Sequence, residues 1–229
     1  MLKAAIFDMD GLLIDSEPLW QEAEIEVFAE LGVRLTRAEC METKGRRVDD
    51  TVAHWYARRP WSGATEEEVA ERLVARVVEL IRARGFPKEG AGHAMDFFRR
   101  KGLALALATS SGRPVIAAVL ERLGLEKDFA VVHSAVEEEF GKPHPAVYLT
   151  TASRLGVDPG RCLALEDSIH GVLAAKAAGM KCIAVPDASS EAPGREARLG
   201  SRLVDADLVL RSLAEIDEAA WTRLAGLEG

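Results

Sequence analysis

Six short apolar runs, separated by stretches of helical periodicity, constrain this chain more than any other feature. The runs are Leu2–Phe7, Leu103–Ala108, Ala130–His133, Arg161–Leu165, Cys182–Val185 and Leu208–Leu210. Between them, residues 115, 116, 119, 120 and 123 form one apolar helical face, closed by Gly124. Ala146–Leu155 before Gly156 and Gly171–Ala178 before Gly179 repeat the pattern. Strands that alternate with amphipathic helices cannot pair as tight hairpins. They imply a parallel sheet with helices on both faces, an α/β doubly wound architecture.

The rhythm breaks between about residues 15 and 85, where no strand is legible but several helical patterns are. Leu19, Trp20, Ala23, Val27, Phe28 and Leu31 share a face that ends at Gly32. Thr65 followed by Glu68 reads as a capping box, opening a helix with the stripe Val69, Leu73, Val74, Val77, Leu80 and Ile81 before Gly85. The reading is a helical cap, residues 16–85, inserted into a core of residues 1–15 and 86–229. Ser189–Gly194 reads as an exposed loop of that core.

Ligands bind doubly wound sheets beyond the carboxyl ends of the strands, and the chemically suggestive residues fall there. Asp8 and Asp10 follow the first run; at that spacing one carboxylate can attack phosphorus while the other protonates the leaving oxygen and later activates water. Gly11 permits a sharp turn. Thr109, Ser110 and Ser111 precede a helix that Pro114 helps to start, so a hydroxyl and free amides meet at a helix N-terminus and form an anion site. Lys142 sits between Gly141 and Pro143, where flanking prolines stiffen the backbone. Glu166 and Asp167 end the fourth run. Carboxylates of Asp8 and Asp167 with a carbonyl near Asp10 make the partial oxygen shell that Mg²⁺ accepts. Thr109 and Lys142 would hold the remaining phosphate oxygens.

Acidic residues exceed basic ones by 37 to 29, a net charge of −8, which argues against nucleic acid or an anionic membrane as partner. No apolar stretch reaches the roughly 18 residues of a membrane span. No leader pattern is visible, and the expectation is a cytoplasmic monomer. The cysteines, Cys40, Cys162 and Cys182, lack metal-ligand spacing and read as buried thiols.

The segments FDMDG, ATSSG, GKPHP and ALEDSIHGVLAAKAAGM, in this order along almost the whole chain, resemble the haloacid dehalogenase superfamily of aspartate-nucleophile phosphotransferases. That resemblance implies a Rossmann-like core, Asp8 as nucleophile and Asp10 as acid/base. It also implies Thr109, Ser110 and Lys142 as phosphate binders, and Asp8, Asp10, Asp167 and Glu166 around Mg²⁺. The inserted segment looks like the helical cap of the beta-phosphoglucomutase-like branch. AAIFDMDGLLIDSEPLW and HWYARRPW are similar to that branch's hexitol and 2-deoxyglucose-6-phosphate phosphatases. The implied reaction is hydrolysis of a small sugar or hexitol phosphate. Its rivals are a mutase-type isomerase and a non-catalytic phosphometabolite-binding module. Lys44–Asp49 resembles the mutases' cap loop, but its arginines fall too early after the lysine and glycine, which weakens the mutase reading. Pro87–Gly90 departs from the family's usual Pro-Gly pair, with an effect expected on a turn alone. Glu17, Arg46, Arg47 and Trp55 are the candidates for substrate selection; Trp55 also reads as plain cap core, and Asp15 and Ser16 as helix caps.

Overall fold

The computed structural model describes residues 1–186 and 205–225. The loop expected over Ser189–Gly194 lies outside the described residues. Among them, six strands form one parallel sheet: β1 (Ala4–Phe7), β2 (Ala104–Thr109), β3 (Val131–Ser134), β4 (Cys162–Glu166), β5 (Lys181–Ala184) and β6 (Leu208–Val209). Their order is β3-β2-β1-β4-β5-β6. The chain therefore winds outward from β1 in one direction and then the other, and the switch lies at β1 between β2 and β4.

The register explains why the runs are apolar throughout rather than alternating. Phe7 pairs with Leu107 on one side and Leu165 on the other. Ala5, Phe7, Leu105, Leu107, Leu163 and Leu165 face one core, with α5 (Ala91–Arg100) and α6 (Arg113–Leu123) packed over it. Ala4, Ile6, Ala106, Ala108, Cys162 and Ala164 face the other, under α7 (Ala146–Leu155) and α8 (Ile169–Ala177). Both faces are covered, as a parallel sheet requires. The second face is alanine-rich, and Ala174, Ala175 and Ala178 let α8 lie close to it. All three cysteines are buried and free.

Between β1 and α5 the chain forms α1 (Glu17–Glu30), α2 (Arg37–Cys40), α3 (Val48–Arg58) and α4 (Glu66–Arg84). The Thr65–Glu68 capping box is present. A second, at Thr36 and Glu39, opens α2 and was not expected from the sequence. The two linkers run side by side: the amide of Asp15 donates to the Phe86 carbonyl, and that of Lys88 to Leu13. Asp15 pairs with Lys88 at 3.4 Å rather than capping a helix. Cap helix α4 also packs on α6, so the cap is braced at both its base and its flank.

Candidate active site

Asp8 follows β1 by one residue, and its amide donates to the Leu165 carbonyl at 3.0 Å, which fixes it beside the end of β4. Lys142 enters from the loop before α7. Its ammonium reaches Asp8 Oδ1 at 2.7 Å, Glu166 Oε1 at 2.6 Å and the Ala108 carbonyl at 3.2 Å, so all three donors are directed. Tyr148 of α7 donates to the same Glu166 oxygen at 2.5 Å. Burial disfavours the lysine's charge, but the Asp8 and Glu166 carboxylates outweigh it and hold the ammonium above its ordinary range. Burial also pushes the Asp8 and Asp167 carboxyls upward, against the pull of Lys142 and Lys44 respectively.

Asp8, Glu166 and Asp167 are all buried and offer oxygen atoms within 4.8 Å of one another. Hard carboxylate oxygens crowded in this way suit a small divalent cation such as Mg²⁺. The approach is so close that Gly11, with φ of +79°, has no room for a side chain: a Cβ would lie 2.3 Å from Asp167 Oδ2. Gly171 is equally constrained, since its Cβ would sit 1.9 Å from the Glu166 carboxyl carbon. These two glycines are what let three carboxylates converge.

The Asp10 carboxylate lies outside that cluster. Its Oδ1 accepts from Ser16 Oγ at 2.7 Å and Trp20 Nε1 at 3.0 Å, and its Oδ2 from Ser111 Oγ at 2.7 Å. Ser16 thus makes no side-chain capping bond to α1, contrary to expectation; its hydroxyl is turned to Asp10 instead. Thr109 is buried at the end of β2, where its hydroxyl accepts from the Ser111 amide. Ser110 Oγ donates across to the Gly45 carbonyl of the cap.

Asp8, Asp10, Thr109, Ser110, Lys142 and Asp167 line one cavity between core and cap, and Glu17, Arg46 and Lys44 line it from the cap side. Glu166 stands behind them, fully buried. Arg47 points elsewhere: it bonds Asp50 and the Glu138 carbonyl, clasping cap to core. Trp55 is buried in the cap core beneath Arg58 and Arg59.

Tyr148 and Glu24 were not singled out from sequence, and Ser16, Trp20, Ser111 and Lys44 were read there as a helix cap, an apolar helix face, part of a helix-entry anion site and part of a cap loop, not as partners of Asp10 and Asp167. Ser16 and Trp20 had a signal available, since an i, i+4 pair on the first turn of α1 faces the same way. Lys44 reaches Asp167 Oδ2 at 2.7 Å from the cap loop, and nothing local announces that span.

A model of the haloacid dehalogenase-like hydrolases matches residues 2–179. Hexitol phosphatase B of Escherichia coli K12 is 46% identical over 214 residues, covering 93% of each chain. The phosphorylated carbohydrates phosphatase of Thermotoga maritima is 36% identical over 187 residues, covering 80% of this chain and 84% of its own. The beta-phosphoglucomutase structure from Clostridium difficile superposes with a TM-score of 0.83 at 23% identity, over 100% of this chain and 99% of that one, a likeness of fold. The convergence of Asp8, Lys142 and Asp167 at the switch of a capped parallel sheet thus has its explanation: the chain belongs to the haloacid dehalogenase-like hydrolases, as a phosphoric monoester hydrolase.

Proposed function

We propose that the protein hydrolyses phosphate monoesters of small sugars or sugar alcohols by way of a phosphorylated Asp8. The observation that carries this is the division of labour between two carboxylates in one cavity. Lys142 holds one oxygen of Asp8, leaving the other to attack phosphorus. Asp10, gripped by three donors from Ser16, Trp20 and Ser111, stands apart from the carboxylate cluster. There it delivers a proton to the ester oxygen as its bond to phosphorus breaks, releasing the alcohol, and takes one from the water that cleaves the acyl phosphate. Thr109 and Lys142 bind the transferring group's oxygens. Asp8 and Asp167, with Glu166 beside them, would hold Mg²⁺, which neutralises charge on the phosphate.

The cavity between core and cap has a volume of about 60 Å³. The names of the hexitol and phosphorylated-carbohydrate phosphatases support the substrate class. The test is phosphate release from a panel of hexose, pentose and hexitol phosphates, with Mg²⁺ and after chelation. Magnesium-dependent release from polyol or sugar phosphates is expected. Interconversion of sugar phosphates without net release would replace this reading with a mutase, and silence on every ester, aryl phosphates included, with a binding module.

A further inference from the structure

At the cap end of the cavity stands a carboxyl group that the chemistry above does not use. Glu24 lines the same cavity as Asp8 and Asp10. It is only 7% exposed, and among the described residues its Oε2 has no hydrogen-bond partner. The Cys40 thiol is its neighbour in the cavity wall. A buried, half-satisfied carboxyl is costly in an apolar setting. On α1 the residue shares a face with two others that line the cavity. Glu17, Trp20 and Glu24 recur at i, i+3 and i+7 and all line the cavity, and Trp20 donates to Asp10. Four residues beyond Trp20 is roughly 6 Å along the helix axis. That carries Glu24 past the acid/base and into the part of the cavity lined by the cap residues Cys40, Thr51 and Leu73.

We infer that Glu24 is a specificity residue whose free oxygen hydrogen-bonds the hydroxyl groups of the substrate remote from its phosphate. This rests on the reading of the protein as a sugar or polyol phosphatase. Burial pushes the Glu24 carboxyl up to about 8, so near neutral pH it presents an O–H and a C=O together. A hydroxyl, itself donor and acceptor, satisfies both. The matching ligand is therefore a phosphate ester whose remote end carries hydroxyl groups. A leaving group without hydroxyls leaves the oxygen unpaired, and sites built to bond a hydroxyl discriminate strongly against such analogues.

The experiment compares kcat/KM for a hexitol 6-phosphate with that for p-nitrophenyl phosphate, as a ratio, in the wild type, Glu24→Met and Glu24→Gln. The ratio should fall by about tenfold or more in Glu24→Met, mostly through KM of the hexitol ester, and return to within a few-fold of wild type in Glu24→Gln. Glu24→Met should also raise Tm, because it removes a buried unpaired polar group at similar volume. A ratio in Glu24→Met within threefold of wild type, or a lowered Tm, would make Glu24 a structural member of the cap and overturn the inference. A wild-type enzyme that hydrolyses p-nitrophenyl phosphate but no polyol or sugar ester would sink the proposed function and this inference together.

Discussion

The two walls of the cavity are built on opposite terms. On the core wall strand ends set Asp8, Thr109 and Glu166, and these are tied to their neighbours, as in the Lys142 bridge between Asp8 and Glu166, while Asp167 Oδ2 meets the cap's Lys44 at 2.7 Å. On the cap wall, side chains project from helix faces and a loop, and among the described residues Glu24 keeps a buried oxygen unpaired. A site whose parts satisfy one another is preorganised for one reaction. A wall that carries unmet hydrogen-bonding capacity is shaped for something still to arrive. The difference assigns chemistry to the sheet and choice of substrate to the cap.

The sharpest way to break that assignment is Asp8→Asn. Loss of the nucleophile should lower kcat on the order of 10⁴-fold or more on every ester, with the circular dichroism spectrum retained. Residual turnover within tenfold of wild type would deny Asp8 its role. Asp10→Ala should lower kcat by about 10²–10⁴ on alkyl esters. The loss should be smaller on p-nitrophenyl phosphate, whose leaving group departs without a proton. Equal losses on both would move its contribution to the shared hydrolysis of the acyl phosphate, and no loss on either would place Asp10 outside proton transfer.

A pair of glycines extends the comparison to stability. Gly171→Ala drives a methyl into the Glu166 carboxyl, which cannot swing aside because Lys142 and Tyr148 hold it. Overpacking of this kind costs about 1–3 kcal/mol, and Tm should drop by several degrees along with kcat. On the cap side, Gly45→Ala meets Ser168 at 3.3 Å and strains a backbone with φ of +79°. About 1 kcal/mol is expected there, read chiefly as a raised KM, because this loop meets the core only where the cap closes. A larger effect at Gly45 than at Gly171 would reverse the roles given to the two walls.

The same contrast decides what was legible in the sequence. Strands and core motifs are written locally: an apolar run ending in Asp8, or in Glu166 and Asp167, predicts both the strand and its reactive end. β3 shifts by one residue, to Val131–Ser134, and β6 shrinks to Leu208–Val209, as edge strands do when few partners define their ends. The cap is written in patterns that a polar residue can subvert. On α1 the expected apolar face is present, but Gln21 and Glu24 are buried as well. Hydropathy treats a buried glutamate as surface, so its position was invisible. Arg47 and Trp55 were credited with the cavity because basic and aromatic residues suit a lid; only the turn of α3 decides that they face elsewhere. Tyr148 was illegible because its partner, Glu166, lies on another element.

A last comparison isolates the cap's stored instability through pH. The Glu24 carboxyl titrates near 4.5 in an unfolded chain and at about 8 in the folded protein. Between those values the native state binds a proton that the unfolded state has released. Stability must therefore fall as pH rises through that window, by up to about 1.4 kcal/mol per unit, and level off below and above it. Asp8, Asp167 and Glu17 are also pushed upward by burial and slope the same way, so the wild-type curve alone identifies none of them. The difference between wild type and Glu24→Gln does, because the other three remain in both proteins. Urea midpoints measured from pH 5 to 9 should give two curves that meet at the acid end and diverge toward pH 8, with Glu24→Gln the more stable. Parallel curves would mean that Glu24 is ionised and partnered in the folded protein. The unmet demand on the cap wall would then vanish, and with it the contrast between a satisfied core and a waiting cap.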